Sequence, residues 1–113
     1  MGTLAQVNTT LIHDLLARTT TSRCISRDST GRMWAVYISD LSIGIRDLYA
    51  AYSDNAGATW TEELVESNNR PPIDAPPTIM VDSNDVPMII YKREPSFGNH
   101  LILYIDRAGG SWG

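Results

Sequence analysis

Tyr52-Ser53-Asp54-Asn55-Ala56-Gly57-Ala58-Thr59-Trp60 decides the fold, and it returns near the end of the chain as Tyr104-Ile105-Asp106-Arg107-Ala108-Gly109-Gly110-Ser111-Trp112. Both copies read Tyr-x-Asp-x-Ala-Gly-x-(Thr/Ser)-Trp. This is the chemistry of a hairpin turn. An aspartate side chain accepts hydrogen bonds from backbone N–H groups a residue or two on and so closes a turn. Gly57 and Gly109 are placed to supply the positive φ such a turn requires. Trp60 and Trp112 bring large apolar faces expected to be buried beneath the turns, each with an indole N–H that needs an acceptor.

A second pair of segments repeats as well. Asp28-Ser29-Thr30-Gly31-Arg32-Met33-Trp34-Ala35-Val36-Tyr37 aligns with Asp82-Ser83-Asn84-Asp85-Val86-Pro87-Met88-Ile89-Ile90-Tyr91. Asp28 and Asp82 are 54 residues apart, Trp60 and Trp112 are 52 apart, so one loop is shorter in the second copy. The spacing is close to that of a four-stranded propeller blade, about 40–50 residues.

The nonapeptide resembles the Asp-box, or BNR repeat, Ser-x-Asp-x-Gly-x-Thr-Trp. Ser53, Gly57, Thr59 and Trp60 match it, with Asn55 at the Asp position and Asp54 one place earlier. In the second copy Gly109 and Trp112 match, Ser111 replaces Thr, Arg107 takes the Asp position and Asp106 sits one place earlier. The resemblance implies sialidase-like β-propeller blades. Each Asp-box would lie on the hairpin between the third and fourth strands of a blade, with a structural role and none in catalysis.

The hydrophobic pattern agrees with strands. Residues 32–39 form the clearest one: Met33, Ala35 and Tyr37 point one way and Trp34, Val36 and Ile38 the other. Both faces are apolar, so this strand is expected to be covered on both sides. Further strands are expected at 22–27, 47–53 and 60–66, and in the second repeat at 78–82, 86–93 and 99–105. Residues 40–46 read as a loop. Residues 9–20 fit a helical turn or a loop equally, with Leu11, Ile12, Leu15 and Leu16 at helical spacing. The Pro-rich stretch 67–77 is expected outside the sheets, because proline lacks the donor of a central strand.

The chain of 113 residues is long enough for one small domain. A net charge of −4 without a Lys/Arg cluster argues against nucleic acid as a partner. No apolar run approaches the roughly 20 residues of a membrane span, and no signal peptide is visible at the N-terminus. Cys24 is the single cysteine, so a disulfide framework and a cysteine zinc site are both excluded. His13 and His100 lack metal-ligand spacing, and no Gly-rich phosphate loop is present, so no metal or cofactor is expected.

Residues 3–8 resemble the strand Thr61-Glu62-Glu63-Leu64-Val65-Glu66, and the second repeat stops one residue after Trp112. The N-terminal strand is therefore expected to complete the second sheet of another copy and cover an edge that would otherwise invite aggregation. The expected fold is all-β. Residues 1–113 make two four-stranded blades, repeat 1 at about 3–60 and repeat 2 at about 61–113. They close into a propeller by homo-oligomerisation with inter-chain strand exchange. The six blades of sialidase-like propellers favour a homotrimer; a tetramer is the alternative, and a fragment of a longer propeller fits the missing strand too.

The resemblance also points to the face of a propeller opposite the Asp-boxes, where relatives bind ligands. Asp40, Arg46, Asp74, Lys92 and Arg93 lie in or beside loops expected there, and are the candidate ligand-binding residues. Solvated loop charges are the plainer account of them. The arginine triad and tyrosine nucleophile of sialidases have no counterparts that can be placed here, so no enzyme activity is expected. The leading reading is a non-catalytic, lectin-like binding propeller with a glycan partner. A ligand-free structural unit and a glycoside hydrolase fragment are the alternatives. Trp34, Tyr37, Tyr49, Tyr52, Tyr91 and Tyr104 fall within expected strands, where core packing is the simplest role.

Overall fold

A computed structural model describes residues 11–12, 17–18, 23–42, 45–67, 76–96 and 98–113. The described residues hold two antiparallel sheets and no helix. The first contains β1 (Ala17–Arg18), β2 (Ile25–Arg27), β3 (Met33–Ser42), β4 (Ile45–Ser53) and β5 (Thr61–Glu66). β1 and β2 share one edge of β3, with β4 on its other edge and β5 beyond. The second sheet contains β6 (Thr78–Val81), β7 (Pro87–Ser96) and β8 (Asn99–Asp106) in that order.

β3 carries aromatic and β-branched residues that suit a pleated, buried surface. Trp34, Ala35, Val36, Tyr37, Ile38 and Ser39 are all buried, as expected of a strand apolar on both faces. One face meets the second sheet. Trp34, Val36, Ile38, Leu48 and Ala50 pack with Ile79, Ile89 and Tyr91 in one continuous core. Fully burying a side chain such as Leu48, Ile79 or Ile89 contributes about 1.5–3 kcal/mol each. A backbone bond from Ile79 N–H of β6 to the C=O of Arg23, just before β2, at 2.9 Å also joins the two sheets.

The turns that open β3 and β7 are built alike. Asp28 Oδ1 accepts from the N–H of Thr30 and of Arg32, both at 2.9 Å. Asp82 Oδ1 accepts from the N–H of Asn84 and of Val86, at 2.8 and 2.9 Å. The left-handed position is Gly31 in the first turn and Asp85 in the second. Asp85 accepts the N–H of Ser29 at 2.8 Å and its hydroxyl at 2.5 Å, which ties one turn to the other.

The two nonapeptides are less alike than their sequences. In the first, Asn55 and not Asp54 closes the turn. Its Oδ1 accepts from Thr59 N–H and from the Ser53 hydroxyl, both at 2.9 Å, and its Nδ2 donates to Thr59 Oγ1 at 2.7 Å. Ser53 Oγ accepts Gly57 N–H at 2.8 Å, and the Trp60 indole donates to Gly57 C=O at 3.1 Å. Ala56 and Gly57 both have positive φ. In the second, Asp106 Oδ1 accepts Ala108 N–H at 3.1 Å. Its positive φ belongs to Gly110, not Gly109, because a three-residue type I turn puts the left-handed residue after the turn.

Trp60 and Trp112 are half-buried instead of sealed beneath their turns. Trp112 packs its ring edge-on against Trp34 of the first sheet, with centroids 5.8 Å apart. The loop expected at 40–46 is also shorter than the sequence implied. β3 runs on to Ser42 and β4 starts at Ile45, with a register shift between Asp40 and Ser42 that lets the ladder continue. Ala17–Arg18, within the stretch left open between helical turn and loop, pairs with β3 at Ile38 and Ser39. The N-terminal strand expected at 3–8 and most of the Pro-rich connection lie outside the described residues.

Candidate ligand-binding end

The two ends of the sheets carry different chemistry. The hairpin end is consumed by contacts within the protein. Arg32 pairs with Asp54 through Nε at 2.7 Å and Nη2 at 3.0 Å, and its guanidinium lies 4.2 Å from the Tyr52 ring centroid. Those bonds hold the Asp54 carboxyl below the usual carboxylate range. Arg107 grips Glu63 of β5 in a fork of 2.8 and 2.9 Å, and the Trp112 indole donates to the same Glu63 at 3.0 Å. Glu63 thus draws the second nonapeptide onto the first sheet.

At the opposite end, Arg93 of β7 reaches across to Glu66 of β5 at 3.0 Å. Tyr91, two residues earlier on the same face, lies beside Glu66. Burial and then the bond to that carboxylate push the Tyr91 hydroxyl well above the ordinary tyrosine range. One carboxylate oxygen of Glu66, Oε2, is buried without a hydrogen-bond partner. The arrangement is a largely buried carboxylate beside a partly exposed cation and a phenol. Glu63 and Glu66 were not singled out from the sequence, and Arg107 only as the residue at the Asp position of the second nonapeptide. Glu63 and Glu66 look like ordinary strand-edge charges, but Glu63 pairs with Ala50 on the face toward the second sheet, and a β-bulge between Leu48 and Tyr49 brings Glu66 to that same face.

The five candidates are placed differently from one another. Asp40 and Arg46 are cross-strand partners near the far end of β3 and β4, the end to which Glu66 belongs. Arg93 faces the first sheet at that end. Lys92 pairs with Ile102 on the outer face of the second sheet, away from the other three. Asp74 lies outside the described residues. The hairpin set, Ser53, Asp54, Asn55, Gly57, Thr59, Trp60, Asp106, Gly109, Ser111 and Trp112, gathers at the other end.

Comparison with family models, curated proteins and solved structures found no match to the chain. Among the described residues, no group of three or more His, Cys, Asp or Glu side chains is placed to hold a metal ion. At the far end Arg93 and Glu66 pair across the sheets, with Arg93 the more exposed of the two.

Proposed function

We propose that the chain is a non-catalytic binding unit of a sialidase-like β-propeller. Its two sheets are successive blades, its nonapeptides are Asp-box hairpins, and copies of the chain, three for six blades, complete the ring. The observation that carries this reading is the stacking of the sheets. The even-numbered face of β3 packs on the odd-numbered face of β7, and the repeat alignment makes that odd face equivalent to the other side of β3, where Ala35, Tyr37 and Ser39 are buried as well. Such a contact can be propagated from blade to blade.

Ligand binding is assigned to the end opposite the hairpins, and the ligand class to carbohydrate. The support is Arg93, whose guanidinium is held by Glu66 at 3.0 Å while its side chain stays 44% exposed. A guanidinium with donors left over from one carboxylate is suited to the hydroxyls of a sugar, and Glu66, itself bonded by Tyr91, holds it in place. A glycan array probed with the intact protein tests this. Binding lost in Glu66→Gln and kept in Asp54→Asn is the expected result. A ligand that stays bound in Glu66→Gln and is lost on changing the hairpin residues would overturn the choice of end. A blank array would leave a structural role alone.

A further inference from the structure

We infer that the two sheets form a wedge, shut at the hairpin end and open at the other, and that the open seam is a sugar site walled by Leu101 and Arg93. The inference rests on the ligand end proposed above. It adds where the ligand lies, a further residue that touches it, and the kind of sugar that fits.

The burial of inward-facing residues reveals the wedge. Along the second sheet the successive pairs are Ile89 with Ile105, Tyr91 with Leu103, and Arg93 with Leu101. Alternation along a strand keeps these pairs on one face, the face toward the first sheet. Ile89 is 0% exposed and Tyr91 7%, and their partners Ile105 and Leu103 pack against the core. One pair further on, Leu101 is 41% exposed and the Arg93 side chain 44%. Exposure thus rises along the seam toward the end that holds Glu66.

The shut end has its own cause. Glu63 of β5 accepts Arg107 Nε and Nη2 and the Trp112 indole N–H. Trp112 meets the Trp34 ring at 5.8 Å, and the Arg107 guanidinium lies 5.6 Å from the same ring. The Ser29–Asp85 bonds tie the turns of the two sheets together at that end. At the open end Arg93 reaches Glu66 at 3.0 Å.

The open seam offers two chemistries side by side. Leu101 presents an apolar surface next to Arg93, its cross-strand partner. Arg93 is held by Glu66, and a guanidinium has more donors than one carboxylate oxygen can use. Apolar lining with a few placed polar groups is what orients a small ligand. The pair suits a sugar that gathers its C–H groups on one face and keeps hydroxyls at its edge. A β-galactoside is such a sugar, because its axial hydroxyl leaves the opposite face to C–H groups. Ile102, the next residue, faces the other way and is 73% exposed.

The test is a nuclear magnetic resonance titration of the full chain with methyl β-galactoside, repeated on three variants. Shifts are expected at the amides of Arg93, Leu101 and Glu66. Arg93→Gln and Leu101→Ala should each weaken binding about tenfold, the scale of one lost hydrogen bond or apolar contact. Ile102→Ala should bind as the parent does. If Leu101→Ala loosens the sheet, the shift map of the parent decides alone, and shifts that avoid Leu101 overturn the inference. A loss in Arg93→Gln without one in Leu101→Ala overturns the seam and leaves the ligand end standing. A loss in Ile102→Ala instead puts the ligand on the outer face and overturns both. No shift with the galactoside overturns the inference, while another glycan captured on the array would still support the proposed end.

Discussion

Asn55 shows how far one residue can stand in for another. Its Oδ1 does what a carboxylate would do for Thr59 N–H, and its Nδ2 adds a bond to the Thr59 hydroxyl. Asn55→Ala removes three bonds and should lower stability by about 1–3 kcal/mol in urea denaturation. Asn55→Asp should cost far less, because the Thr59 and Ser53 hydroxyls can both donate to a carboxylate. Equal losses in the two variants would refute this role. Asp85 carries a pH-dependent contribution. Bonds from the Ser29 hydroxyl and N–H lower its folded pKa, with a smaller opposing effect of burial. A depressed carboxylate stabilises above its unfolded value, near 3.9, and loses that stabilisation as pH falls through the lower folded value. Asp85→Asn should therefore be less stable than the parent at pH 7, with the gap closing as pH falls below the ordinary aspartate range. A gap that stays constant with pH would exclude ionisation as the cause. Neither role was wholly legible in the sequence. Asn55 was aligned to the Asp position, but Asp85 looked like one more turn residue, since its partner Ser29 lies 56 residues away.

Among the elements, strands were read from periodicity with small errors at their ends. β3 was clear because six successive buried residues carry no polar interruption before Ser39. The β3–β4 connection was read too long, because Asp40, Ser42 and Arg46 look like loop residues although the backbone ladder runs through them. The second nonapeptide was misread in its turn type. Gly109 and Gly110 are adjacent, and only backbone geometry shows that the second carries φ +86°. Gly110→Ala should then cost about 1–2 kcal/mol for a left-handed L-residue, whereas Gly109→Ala should be neutral or slightly stabilising. Thermal unfolding of the two variants separates the alternatives, and the reverse order of stability would restore the sequence-based turn. Among the described residues β8 pairs only with β7. That leaves an edge for the N-terminal strand of another copy, which is proposed to fill it.

For the whole molecule, the repeat was the most informative feature of the sequence and the pairing of charges across the sheets the least. Turn residues recur at fixed offsets, so Asp28 and Asp82 could be matched by eye. The choice of Glu63 for Arg107 and Glu66 for Arg93 depends on a β-bulge and on how one sheet lies over the other. The ligand end inherits that difficulty, and with Lys92 turned to the outer face the candidate set is reduced to residues near Glu66. The central claim is that these two sheets are blades of a ring that other copies must complete. Light-scattering mass of the intact chain across a dilution series tests it most directly. Three chain masses are expected, four would change only the number of blades, and a well-folded protein of one chain mass at every concentration would contradict the account.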